Sequence, residues 1–170
     1  MQRRTFLSLL AGTAASVSGC GFALRKAPDF AFSTLYSGLP ESSPLGVELR
    51  RSLNATRRVH VITDARQLSE AQVVLDVLTD RRERVVISLN STGQVRELQL
   101  RLRFRFKLRT LAGKEVIPDT ELLLQRDISF NETQVLAKEA EEALLYRDMQ
   151  NDLVQQLMRR LAAVDKAQLQ

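Results

Sequence analysis

A run of alternating cations is the feature of this sequence whose residue types and spacing suit chemistry. Within residues 98–109 five positive side chains occupy every second position: Arg101, Arg103, Arg105, Lys107 and Arg109. Side chains two residues apart on a β-strand share one face at a spacing of roughly 7 Å. Guanidinium and ammonium groups in such a row suit the phosphate and carboxylate groups of a ligand. The cations therefore predict an anion-binding surface on one face of a strand.

The same cations allow two further interpretations. Aspartates and glutamates of neighbouring strands would balance them on a solvated sheet face. Nucleic acid is a usual partner of basic surfaces, but Phe104 and Phe106 have the opposite parity and offer the bases no ring to stack on. Because no acid stands among the five cations and like charges so placed repel, we expect an anionic ligand to compensate them.

Catalytic chemistry has little support in the sequence. The single histidine, His60, has the polar parity of a short strand, which predicts a solvated side chain. No nucleophile elbow, glycine-rich dinucleotide motif or P-loop is present. Cys20 is the only cysteine, so the mature chain holds neither an internal disulfide nor a thiolate metal site. The sequence therefore favours a non-enzymatic role that needs no cofactor.

The N-terminus has the form of an export signal. Arg3 and Arg4 precede a run of apolar and small residues over 5–15 that is too short to span a bilayer. The run leads to Val-Ser-Gly followed by Cys20, which is similar to the bacterial lipobox, in which cleavage leaves an acylated cysteine. We predict a signal peptide over residues 1–19 and lipidation of Cys20, whose acyl chains would anchor the protein stably. The paired arginines also resemble a twin-arginine signal, so the export route stays open.

Length and composition indicate one globular domain behind this signal. The chain has 170 residues, of which 44% are hydrophobic and 26% charged, and a formal net charge of +5. We expect a tether over residues 20–28, a single domain over 29–165 and a C-terminal tail over 166–170. Past the signal, no stretch of the sequence is long and apolar enough for a transmembrane helix.

Alternating apolar residues predict the strands that present the cations. The residues that alternate with the polar side chains in residues 98–109 are all large and apolar: Leu98, Leu100, Leu102, Phe104, Phe106 and Leu108. Residues 73–90 predict either one long strand with a protruding charged middle or a hairpin folded at the charges. Turns are predicted at 90–93 and 112–114, and further strands at 30–36, at 58–63 and beyond Pro118 as far as residue 130.

Two helices are predicted to cover the sheet. Ser43 is a suitable N-cap for a helix over residues 44–55, in which leucines recur at helical spacing. Asn131 and Gln134 resemble a capping box, and from there to about residue 164 there is neither Gly nor Pro. We expect this long helix to bury one apolar stripe in the core: Leu136, Ala140, Ala143, Leu144, Met149, Leu153, Leu157 and Leu161.

Together these elements predict an α+β two-layer sandwich. Two helices would pack on one face of a mixed or antiparallel sheet of about four strands. The apolar side of residues 98–109 would lie beneath the helices, and the cations would occupy the open face of the sheet.

Several short segments, taken in order, resemble the LPS-assembly lipoprotein family LptE. They are Cys20-Gly21-Phe22-x-Leu24-Arg25, the turn at Gly93-Gln94 that leads into the alternating strand, Leu136-Ala137-Lys138-Glu139, and the terminal helix with Gln156-Leu157-x-x-x-Leu161. The resemblance covers most of the mature chain, and its specificity lies in the order and spacing of the segments.

The resemblance implies residence at the inner leaflet of the outer membrane, with which Gly21 is compatible. It implies a role as the plug of the LptD β-barrel, in whose assembly the family assists, and in placing lipopolysaccharide on the cell surface. Lipopolysaccharide would be bound through basic residues, and Lys138 falls where the family carries a lysine. An arginine that some relatives have before the Gly93 turn is replaced here by Ser91-Thr92.

Two functions of other classes remain open from the sequence. One is a structural adaptor lipoprotein of another envelope complex, without lipid cargo. The other is an exported nucleic-acid-binding module, against which the export signal argues.

Overall fold

The computed structural model describes residues 28–131 and 134–169, which form a sheet and its covering helices. The elements in chain order are β1 (Thr34–Ser37), α1 (Pro44–Ala55), β2 (His60–Ile62), a 3-10 helix (Ala65–Glu70), β3 (Val73–Leu89), β4 (Val95–Thr110), β5 (Glu115–Ser129), α2 (Val135–Ala162) and α3 (Lys166–Leu169). The predicted signal peptide and Cys20 lie outside the described residues.

The sheet is mixed and has the strand order β2-β1-β3-β4-β5. β1 pairs in parallel with both β2 and β3, while β3, β4 and β5 form an antiparallel meander. Residues 73–89 are one long strand and not a hairpin, because their charged middle stays in register with Leu100 to Phe104 of β4. The turns on either side of β4 contain Gly93 and Gly113, whose φ angles of 83° and 93° suit glycine.

The core lies between the apolar side of β4 and the two long helices. Phe104 and Phe106 are fully buried, with ring centroids 5.5 Å apart. Above them α2 buries Met149, Leu153, Leu157 and Leu161, and α1 buries Leu45, Leu49 and Leu53. Helices on one side of a sheet confirm the predicted α+β sandwich, with five strands where we expected about four.

Among the strands, β1 and β5 differ most from the sequence prediction. β1 begins at Thr34, although Phe32 before it is buried in the core. β5 begins at Glu115 and contains Pro118, which we expected to precede the strand. Proline is tolerated there because β5 is an edge strand and its register with β4 shifts beside that residue, between Phe106 and Leu108.

The first half of α2 differs most from its prediction. The helix begins at Val135, and its N-cap is Gln134, without a side-chain capping bond, so Asn131 is not the cap we expected. Leu136 and Leu144 are 82% and 58% exposed instead of buried. If the buried stripe is followed back from Met149 in steps of three and four residues, it reaches Tyr146. The residues that face the core in this half of the helix are therefore not the leucines and alanines that we predicted.

No helix in the described part of the chain has both the length and the apolar character required to cross a bilayer. The last described residues form α3, and Leu169 within it packs against the core.

Candidate functional site

The five cations of β4 lie on the face of the sheet that the helices leave open. Their neighbours along the strand, from Leu100 to Leu108, point into the core, so alternation alone places the cations outward. The side chains of Arg103, Arg105, Lys107 and Arg109 are between 29% and 48% exposed. The predicted orientation of this charged face, which we define by the five cations, is therefore what the structure has.

Carboxylates of the two neighbouring strands compensate most of the charged face. From β5, Glu121 accepts from Arg103 at 2.7 Å, and Asp119 accepts from the Nε of Arg105 at 2.8 Å. From β3, Glu83 lies 3.5 Å from Arg103. Our expectation that an anionic ligand must supply the compensation is therefore corrected, since acids that are distant in sequence come into register with the cations.

The end of the charged face near the β4–β5 turn is compensated by one carboxylate. Asp76 of β3 accepts from the Nε of Arg109 at 2.7 Å and lies 4.0 Å from the Nζ of Lys107. At the other end, Arg101 donates to the amide oxygen of Gln99 at 2.8 Å. Four of the five cations thus have a carboxylate within ion-pair distance.

The Arg105–Asp119 pair perturbs both of its members. The hydrogen bonds from the guanidinium lower the pKa of the Asp119 carboxyl and raise the pKa of Arg105. Both side chains face solvent, where an ion pair contributes little to stability. Such a pair exchanges readily, so a phosphate group is able to replace the carboxylate as the partner of the arginine.

Lys138 lies on α2, on the other side of the sheet from the charged face. Its side chain is only 17% exposed, and its Nζ donates to the hydroxyl of Ser129 at 3.0 Å and to the carboxylate of Glu141 at 2.9 Å. It lines a small cavity of about 60 Å³ together with Leu98, Ile128 and other residues. The structure therefore does not bring Lys138 and the five cations of β4 into one site.

A polar cluster between β3 and the helices was not foreseen from the sequence. Arg82 of β3 donates to the side-chain oxygen of Gln150 at 3.0 Å, and its guanidinium lies 5.2 Å from the ring centroid of Tyr146. The Tyr146 hydroxyl donates to the backbone carbonyl of Glu83 at 2.7 Å, and the Gln150 amide donates to that of Pro44 at 3.0 Å. This Arg82 cluster ties β3 to both long helices.

The charged residues in the middle of β3 are the feature of the sequence from which this cluster could have been predicted. Asp80, Arg82 and Arg84 pair with Phe104, Leu102 and Leu100 of β4, so all three lie on the helix side of the sheet. Desolvation by the overlying helices raises the pKa of Asp80 and also that of Tyr146. Arg82 borders two open clefts of about 320 and 380 Å³ at this edge of the sheet.

Arg126, the cation that interrupts the apolar parity of β5, is also on the helix side. Its guanidinium reaches Asp152 of α2 at a distance of 3.3 Å. His60 is exposed at the start of β2, as its parity predicted.

The family model described as LptE, lipopolysaccharide-assembly, matches residues 32–161, which include all five strands and most of α2. The chain belongs to the LptE family. It is 28% identical over 174 residues to the LPS-assembly lipoprotein LptE of Photorhabdus laumondii, a match that covers 99% of this chain and 91% of that protein. Against the LptE of Yersinia pestis it is 28% identical over 169 residues, covering 98% and 80% of the two chains.

Solved structures of lipoproteins share the fold. The solution structure of lipoprotein B from Nitrosomonas europaea has a TM-score of 0.70 and 32% identity, covering 84% of this chain and 91% of the other. The crystal structure of rare lipoprotein B from Shewanella oneidensis has a TM-score of 0.62 and 26% identity, covering 76% and 92%. The chain is thus an LPS-assembly lipoprotein of the LptE family, with the two-layer fold of these proteins.

Proposed function

We propose that this LptE-family protein is anchored at the periplasmic side of the outer membrane by acyl chains on Cys20. There it plugs and helps to assemble the LptD β-barrel and assists the insertion of lipopolysaccharide into the outer leaflet. The observation that carries the proposal is the family match over residues 32–161. A rigid sandwich with one open polar face is also a suitable shape for filling a barrel that has an aqueous lumen.

We further propose that lipopolysaccharide binds through basic residues, namely Lys138, Arg101, Arg103, Arg105, Lys107 and Arg109. The cations of the charged face are accessible, and phosphate binds guanidinium groups in the bidentate manner that carboxylate uses. Displacement of the carboxylates of β3 and β5 would cost little because these ion pairs face solvent. Lys138 would first have to leave Ser129 and Glu141, so its contribution would require a local rearrangement.

A structural adaptor without lipid cargo is the second candidate. The observation that favours it is the compensation of the charged face by the protein's own carboxylates. An adaptor needs such a face for solubility alone.

A pull-down from cell envelopes in mild detergent separates the two candidates. Mass identification of the captured protein and glycolipid should find an LptD-type barrel together with lipopolysaccharide. Capture of a different envelope protein, without glycolipid, would favour the adaptor and contradict our proposal.

The binding residues need a substitution that does not disturb the fold. Charge reversal would place new acids opposite Asp76, Asp119 and Glu121, so neutral glutamine is the better choice. We expect the triple variant Arg103→Gln, Arg105→Gln and Lys107→Gln to bind purified lipopolysaccharide more weakly, with a reduced dependence on salt. The matched control neutralises three exposed arginines of α2: Arg147, Arg159 and Arg160. Equal binding by the two triple variants would exclude the charged face as the site.

A further inference from the structure

Arg81 of β3 adds a cation beside the charged face. It is the direct cross-strand neighbour of Arg103 in the register of β3 with β4, so both side chains emerge on the open side of the sheet. Like charges that face each other directly across two strands destabilise a sheet. An arginine at the exposed position 81 is therefore not explained by the stability of the fold.

Two carboxylates lie close to Arg81, and both bind Arg103. Glu121 accepts from Arg103 at 2.7 Å, and Glu83 lies 3.5 Å from its Nε. Arg101, the direct neighbour of Glu83 in the register, donates instead to an amide oxygen of β4. In the part of the chain that the structure describes, neither Arg81 nor Arg101 has a carboxylate within ion-pair distance. Three guanidinium groups thus share two carboxylates.

β5 supplies no acid directly opposite these cations. Leu123 is opposite Arg103, and Gln125 is opposite Arg101. Farther along β4, the cations from Arg105 to Arg109 each have a carboxylate partner. An excess of positive charge therefore lies at the middle of the open face, around Arg81 and Arg101.

We propose that Arg81, Arg101 and Arg103 together bind one phosphate group, which in the proposed function is carried by lipopolysaccharide. Directly opposed side chains of an antiparallel pair have Cβ atoms about 5 Å apart, and diagonal ones about 7 Å apart, which long side chains span. Arg81 is opposite Arg103 and diagonal to Arg101, so the three guanidinium groups can meet at one anion. We call this arrangement the phosphate site.

The chemistry of the three arginines suits phosphate. A carboxylate is satisfied by the fork of one arginine, whereas the oxygens of a phosphate accept from several guanidinium groups at once. The anion would bring the charge that this part of the sheet lacks. Arg81 and Arg101 have no carboxylate to leave before they bind it, in contrast to Arg105 and Arg109.

This inference rests on the proposed binding of lipopolysaccharide and adds Arg81 to the residues named there. Binding of purified lipopolysaccharide to the full chain is measured for Arg81→Gln and Arg101→Gln. The control is Arg147→Gln, an equal loss of charge at an exposed position of α2. We expect about tenfold weaker binding for the first two variants and the parental affinity for the control. Parental affinity of Arg81→Gln would overturn the proposal.

A variant that keeps all three arginines gives an independent test. Leu123→Glu places a carboxylate of β5 directly opposite Arg103, where it supplies the charge that the phosphate would bring. It should bind lipopolysaccharide about threefold more weakly than the parent chain, whereas the neutral variant Leu123→Gln should retain the parental affinity. Equal binding by these two variants would contradict the phosphate site.

The stability of the fold separates a binding role of Arg81 from a structural one. Arg81→Glu converts its like-charge contact with Arg103 into an opposite-charge contact, so it should unfold at a higher denaturant concentration than the parent chain. It should also bind lipopolysaccharide no better than Arg81→Gln does. Unfolding at a lower concentration would show that the sheet requires the arginine and would contradict the proposal.

Two further ligands distinguish the phosphate site from the proposed function. Dephosphorylated lipopolysaccharide should bind the parent chain and Arg81→Gln equally, and inorganic pyrophosphate should raise the thermal midpoint of the parent chain but not that of Arg81→Gln. If pyrophosphate stabilises a parent chain that does not bind lipopolysaccharide, the proposed function fails and the phosphate site stands. If the parent chain binds intact and dephosphorylated lipopolysaccharide equally, the phosphate site is overturned and the proposed function stands.

Discussion

Asp119 and Asp80 lie on opposite faces of the same sheet, and their acidities change in opposite directions. On the open face, hydrogen bonds from Arg105 lower the pKa of Asp119. On the helix side, desolvation raises the pKa of Asp80 although Arg82 is nearby. An arginine neighbour therefore does not by itself determine the acidity of an aspartate in this protein, since the helices above it matter more.

The comparison extends to the arginines of the two faces. Three of the four arginines of the charged face, Arg103, Arg105 and Arg109, bind carboxylates in contact with water, which can be exchanged for other anions at little cost. Arg82 is instead fixed between Gln150 and Tyr146 and helps to attach the helices to β3. One face is therefore suited to contacts with other molecules, and the other holds the two layers together.

The largest difference in stability between the two faces should appear when adjacent residues of β4 are substituted by alanine. Phe104→Ala removes a fully buried ring that is stacked on Phe106 and should lower the free energy of unfolding by about 3–5 kcal/mol. Arg103→Ala, one position earlier and on the open face, should lower it by less than about 1 kcal/mol. Denaturant unfolding of both variants measures the difference, and equal losses would contradict the assignment of the two faces.

A smaller loss of stability is expected when the Arg82 cluster is disrupted. Tyr146→Phe removes the hydroxyl that donates to the Glu83 carbonyl and should lower the free energy of unfolding by about 1 kcal/mol. Leu144→Ala on the same helix is the control, since Leu144 is exposed and its loss should leave stability nearly unchanged. If both variants unfold at the same denaturant concentration as the parent chain, the cluster does not hold the layers together.

The smallest and most specific effect is the pH dependence of the two aspartates. Asp119 has a lowered pKa when folded, so it stabilises the protein above its unfolded pKa of about 3.9, and this contribution is lost as the pH falls through the lower, folded value. Asp119→Asn should therefore destabilise the protein at pH 7 but not in acid.

Ionisation of Asp80 has the opposite effect on the stability of the protein. Its folded pKa is raised, so ionisation disfavours the folded state as the pH rises above the unfolded value. Asp80→Asn should therefore be more stable than the parent chain at pH 7, and this advantage should vanish in acid. Unfolding curves measured between about pH 3 and pH 7 compare both variants with the parent chain, and changes of the same sign at pH 7 would contradict the comparison.

Elements with a strong local pattern were predictable from the sequence. The alternation in β4 located the strand and both of its faces, and α1 has its predicted bounds, with Ser43 as the N-cap that accepts from the backbone of Gly46. The orientation of the charged face followed directly, because neighbouring side chains of a strand point to opposite sides.

The first half of α2 was not predictable in the same way. Its leucines and alanines continue the helical pattern of the second half, but they do not continue the buried stripe. On the side facing the sheet the helix carries Tyr146, which is buried, and Lys138, which is partly buried, and their polar atoms are satisfied by Glu83, Ser129 and Glu141. A sequence pattern that counts only apolar residues cannot identify a polar side chain that is buried with its partners.

The sequence by itself determined the local geometry of this protein: which residues form the long strands and helices, and that five cations of one strand share a face. Only the tertiary structure decided the electrostatic state of that face, since its carboxylates come from Asp76 and Glu83 on one side and from Asp119 and Glu121 on the other. It also decided that β3 has an open edge, because the length of β1 sets where its pairing stops. The physical reason is that local periodicity fixes the direction of a side chain, whereas its neutralisation, burial and pairing depend on segments that meet only in the folded sheet.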